Sequence, residues 1–62
     1  MIALAYFPAN NAFAFILGPD LRVATMFRLD GEDLFYPTRD EAKAALARHS
    51  LTLDGDKVVV AN

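Results

Sequence analysis

His49 is the chain's one histidine, and a lone imidazole is the first place to look for acid–base or metal chemistry. Either role needs neighbours, and the sequence places no carboxylate or second ligand beside it. As a helix-end residue it reads more simply as a partner for the last carbonyls. Two acidic runs, Asp30-Gly31-Glu32-Asp33 and Asp54-Gly55-Asp56, offer oxygen donors to a hard cation. Neither has the spaced ligand set of a calcium loop, so both read as turns with solvated carboxylates. No Ser or Thr stands in a nucleophile motif, and Ser50 reads as a helix-exit residue. The three glycines are isolated and each falls in a turn, which leaves no loop to cradle phosphate. There is no cysteine, so disulfides and thiolate zinc sites are excluded. These residues lead to an expectation of a protein that is not an enzyme and uses no cofactor or metal.

The basic residues are the other chemical set. Arg22 and Arg28 lie on one side of the longest strand-like run, and Arg39 and Lys43 lie on the helix that follows. A sheet face with arginines and a free aromatic such as Phe35 could lie in a DNA groove or stack on single-stranded bases. Three strands followed by a helix opening Phe35-x-x-Thr38-x-x-Glu41-Ala42, over Leu21 to Arg48, resemble two DNA-binding domains in general shape. One is found in a class of plant transcription factors, the other is the arm-type domain of phage integrases. The resemblance implies a sheet laid on nucleic acid. The chain departs from that pattern with only two arginines on the sheet, Arg28 opposed by Asp33, and a formal charge of −2. Nucleic-acid binding is therefore the second reading.

The elements that must position these residues centre on one helix. Thr38 followed by Glu41 is a capping box, and Pro37 biases Tyr36 to an extended backbone. Asp40 and Glu41 suit the positive end of the helix dipole, Arg48 and His49 the negative end. Ala42, Ala45, Leu46 and His49 share one stripe, shallow because it is mostly alanine, with Leu46 as its large anchor.

The rest reads as strand and turn. Candidate strands are Met1 to Phe7, Ala12 to Leu17, Leu21 to Leu29 and Glu32 to Tyr36, separated by turn residues that include Asn10-Asn11, Gly18-Pro19-Asp20 and Asp30-Gly31. After the helix, Leu51 to Leu53 and Lys57 to Val60 flank Asp54-Gly55 as a hairpin. The predicted fold is α+β: an antiparallel meander of about four strands, then one α-helix packed on the sheet, then a C-terminal β-hairpin, in a single domain over 1–62.

Short loops predict Tyr6 opposite Phe15, Leu17 opposite Leu21, Phe15 opposite Val23 and Phe27 opposite Leu34. These pairings sort the large apolar side chains onto one face, which the helix should cover. The other face collects small and medium apolar residues: Ala5, Phe7, Ala14, Ile16, Ala24, Met26 and Phe35, with Ala3 and Ala12. Solvent-facing strands of an ordinary antiparallel sheet carry polar residues there.

At 62 residues and 55% hydrophobic, the chain is short for its apolar content, which points to a partner. The expected function is a small protein-interaction module or regulatory subunit, self-associating through the alanine-rich face. Pro8-Ala9-Asn10-Asn11 splits the uncharged N-terminal stretch well short of the ~20 residues of a membrane span. That break and the lack of cysteine suit a cytoplasmic protein. Small regulators of this length occur in phages and other mobile elements, an origin suggested by size alone.

Overall fold

A computed structural model describes residues 1–20 and 22–62. The elements in chain order are β1 (Ile2–Phe7), β2 (Ala12–Leu17), β3 (Thr25–Phe27), α1 (Arg39–Arg48), β4 (Leu51–Asp54) and β5 (Lys57–Val60). The five strands form one antiparallel sheet in the order β3-β2-β1-β5-β4, so the C-terminal hairpin joins the main sheet on the far side of β1. The chain is α+β, with the single helix packed on one face.

The face sorting is as expected, although the pairings differ. Tyr6 pairs with Phe13 rather than Phe15, because Pro8–Asn10 form a 3₁₀ turn closed by Asn11 in the left-handed region, a longer loop than Asn10-Asn11 alone. Phe15 pairs with Phe27 rather than Val23, because β3 begins only at Thr25. The predicted partner Leu21 lies outside the described residues. Each shift is an even number of residues, two and four, and side chains alternate with a period of two. Every strand residue therefore keeps its face.

The expected fourth strand is corrected more deeply. Asp30-Gly31 does turn the chain, with Gly31 at φ 76° and the Glu32 N–H donating to the Leu29 carbonyl at 3.0 Å. Yet 32–36 does not return along β3, and Phe27 has no partner at Leu34. Instead Phe13 and Tyr36 exchange two backbone hydrogen bonds, at 2.7 and 2.8 Å, so the chain re-enters the sheet on the β2 edge. Residues 28–35 make an excursion between those two contacts. Between Arg22 and Arg48 there is one short strand, not three, so the DNA-binding-domain likeness does not extend to the strand arrangement.

Leu4, Phe15, Leu29, Tyr36, Ala42, Ala45 and Leu46 form the core between helix and sheet. Ala42 and Ala45 are fully buried, which lets the helix backbone approach the sheet closely, and Leu46 fills the space between them. The Thr38 hydroxyl accepts from the Glu41 N–H at 3.2 Å and faces the Glu41 carboxylate at 3.5 Å. At the same end Arg39 bonds the Asp56 carboxylate at 2.5 Å and the Gly55 carbonyl at 2.6 Å, tying the helix start to the β4–β5 turn. Arg48 and His49 at the other end hold Glu32.

Leu46→Ala should lose about 3 kcal/mol in urea unfolding, a large part of the roughly 3–9 kcal/mol expected for a chain of this size. Thr38→Ala should lose about 1 kcal/mol with an unchanged denaturant slope.

Candidate functional site

The back of the sheet, opposite α1, carries adjoining clefts. In β1 and β2 the register pairs Ala3 with Ile16, Ala5 with Ala14 and Phe7 with Ala12, so small side chains make a low floor. Met26 of β3 pairs with Ile16 on the same side. The loop after β2 folds back tightly: a Cβ on Gly18 would lie 2.7 Å from the Ala24 Cα, which only glycine avoids. Ala24 is thereby brought over the floor. Phe35, just before the Tyr36 bridge, meets Phe7 edge to face with ring centroids 6.1 Å apart.

Two clefts result, of about 530 and 460 Å³. They adjoin, sharing Leu4, Ile16 and Asp56 in their walls. Ala3, Gly18 and Met1 line the larger, and Ala5, Phe7, Ala24 and Met26 the smaller. Asp20 and Arg22 stand at the loop end of the larger cleft, where the Asp20 carboxylate accepts the Arg22 backbone N–H at 2.8 Å.

Ala5, Phe7, Ala24 and Met26 are at least partly accessible here, Met26 at 40%. Phe35 is half-buried. Ala14 and Ile16 are 0% and 8% exposed in a single copy. They support the floor and offer almost no surface. The alternation of side chains placed them on the correct face. It could not show that a central alanine is fully buried within one copy.

The basic residues are not gathered into one surface. Arg22 lines the back cleft, whereas Arg39 and Lys43 ride on the helix across the sheet, and Arg39 is engaged with Asp56 and Gly55. Arg28 does not face Asp33 across a hairpin, because no hairpin forms there. Among the described residues neither Arg22 nor Arg28 is in an ion pair.

A second constellation was not foreseen. Arg48 grips Glu32 with two bonds, Nε to Oε2 at 2.9 Å and Nη2 to Oε1 at 2.6 Å. His49 Nε2 lies 3.2 Å from the same Oε2. The residues are 16 and 17 positions apart, and only the 28–35 excursion brings them together. His49 therefore does have a carboxylate neighbour. It also caps the helix, its backbone N–H donating to the Leu46 carbonyl at 2.9 Å. The Arg48 hydrogen bonds hold the Glu32 carboxyl below its ordinary value. Beside them Tyr36 is 4% exposed, and its hydroxyl is buried without a hydrogen-bond partner among the described residues. Burial, then the charges of Glu32 and Asp33, push that phenol up.

Comparison with known proteins found no matching family model, no similar curated protein and no similar solved structure.

The Glu32 contribution to stability is complete above the ordinary glutamate value of 4.5 and is lost as pH falls through the lowered folded-state value. Unfolding measured across acid pH should therefore show a stability loss in that window that Glu32→Gln largely flattens. Tyr36→Phe removes an unsatisfied buried hydroxyl and should raise stability by about 1 kcal/mol.

Proposed function

We propose that this chain is a small non-enzymatic interaction module that self-associates through the alanine-floored back of its sheet. The observation that carries the reading is the pair of adjoining, largely apolar clefts there, on a face the helix does not cover. A contiguous exposed apolar surface of this kind is an interaction site more often than not. Met1 and Met26 stand at its margins, and methionine repacks readily against a partner. A second copy supplies a matching surface, since a two-fold contact needs only one patch that complements itself. The contact set is Ala3, Ala5, Phe7, Ala24 and Met26, with Ala14 and Ile16 as support beneath.

The module is proposed as cytoplasmic, on the strength of a sequence without cysteine. Among the described residues no helix is long and apolar enough to cross a membrane.

Size exclusion with light scattering should give a mass at least twice that of one chain at high micromolar concentration. Ala24→Glu and Ala5→Glu, at accessible positions, should shift it to the single-chain value while circular dichroism stays unchanged. A wild-type chain of single-copy mass at every concentration tested removes the reading. Ala14→Glu is unsuitable, because a carboxylate forced into that buried position would unfold the chain.

A further inference from the structure

In the order β3-β2-β1-β5-β4, β4 is an edge strand with a neighbour on one side only. Its register against β5 fixes which of its backbone groups face outward. The Ala61 N–H donates to the Ser50 carbonyl at 3.0 Å, and bonded and non-bonded pairs alternate along an antiparallel ladder. Thr52 and Asp54, opposite Val59 and Lys57, therefore turn their N–H and C=O groups inward to β5. Leu51 and Leu53 turn theirs outward, and among the described residues no loop, turn or side chain bonds them there. The opposite edge offers less. β3 covers only Thr25–Phe27, and its register on β2 runs in step with the bonded Phe13–Tyr36 pair, so Thr25 and Phe27 bond inward and Met26 alone faces out.

We infer that β4 pairs antiparallel with β4 of a second copy, about a two-fold axis at Thr52. An unpaired edge is a template for another strand, and Leu51–Asp54 carries no proline, lysine or bulge to blunt it. Its one charge, Asp54, stands at the turn end. Self-pairing has one register that uses every outward group within the strand: Leu51 meets the partner's Leu53, and Leu53 the partner's Leu51. An axis on Leu51 would set Leu53 against the partner's His49, which is the helix cap. An axis on Leu53 would set Leu51 against the partner's Gly55, which lies in the turn.

The side chains suit that register. Leu51 and Leu53 are half-buried on the helix side, so their pairing sets apolar against apolar. On the back of the sheet the exposed Thr52 meets the partner's Thr52, a favourable cross-strand pair, and Asp54 meets the partner's Ser50. No like charges are opposed, so the strand complements itself and a second copy fits it as it stands. Two bonded residue pairs make a short contact, which forms at millimolar chain, above the micromolar concentrations proposed for the back face.

Two experiments test the pairing, both on the full chain carrying Ala24→Glu, so that their outcome is separate from that of the back-face reading. In the first, amide hydrogen exchange is followed by NMR in dilute and in millimolar samples. The Leu51 and Leu53 amides should exchange several-fold more slowly in the concentrated sample, while the inward Thr52 amide stays the same. Thr52→Lys should abolish the concentration effect by opposing two cations, and an equimolar mixture of Thr52→Lys and Thr52→Glu chains should restore it. The second experiment uses the lack of any native cysteine. Across a non-bonded pair the Cα atoms lie about 4.5 Å apart, within reach of a disulfide. With oxidised glutathione, Thr52→Cys should form a covalent dimer several-fold faster than Asp54→Cys or Val60→Cys, which are also exposed but lie off the axis. Exchange at Leu51 and Leu53 that ignores concentration, or equal cross-linking at all three positions, overturns the inference and leaves the edge to a strand of another protein or to solvent.

Discussion

Two hydrogen bonds between Phe13 and Tyr36 determine much of the rest of the structure. They return the chain to the β2 edge just before α1 begins. Tyr36 is thereby placed in the core against Phe15, with ring centroids 5.6 Å apart, and Phe35 on the opposite side against Phe7. The same contact sets where Pro37 and Thr38 stand, and so where the helix starts over the sheet. It also makes 28–35 an excursion, which turns Leu29 into the core and carries Glu32 to the far end of the helix. One bridge thus feeds the core, the back cleft and the Glu32 cluster.

The helix was legible because its signals are local. Thr38, Glu41 and the buried stripe of Ala42, Ala45 and Leu46 all lie within three turns, and each behaves as the spacing implies. The faces of β1 and β2 were legible for a different reason. Alternation is a property of one strand, and an even error in loop length leaves it intact. Loop lengths were not legible. Pro8 makes a 3₁₀ turn where Asn10-Asn11 alone suggests a tight one, and β2 ends at Leu17 while β3 begins only at Thr25. The fourth strand failed because Asp30-Gly31 specifies a turn without specifying which edge the chain rejoins. That choice depends on the competition between β3 and β2, which is tertiary.

The back of the sheet shows the same division. Which residues share that side could be read from the chain. How much of each remains accessible could not, and Ala14 and Ile16 prove to be buried within one copy. The Glu32, Arg48 and His49 cluster was hidden for want of any local pattern. The only hint was an acidic residue after a Gly turn and a basic pair at a helix end, a combination common on protein surfaces.

The hairpin after the helix has a consequence for how the chain assembles. Its two strands pair over four residue pairs, whereas β5 meets β1 at a single ladder pair, Ala3 with Lys57, next to the bond from the Leu4 N–H to the Asp56 carbonyl. The N-terminal ribbon and the C-terminal helix-hairpin are each built from near neighbours in sequence. Among the described residues the two pieces pair as strands only at this narrow seam, which closes nearly the whole polymer into one loop. The entropy of that closure falls on a few bonds and on the packing beneath them. The molecule is therefore two locally paired pieces joined by one thin suture.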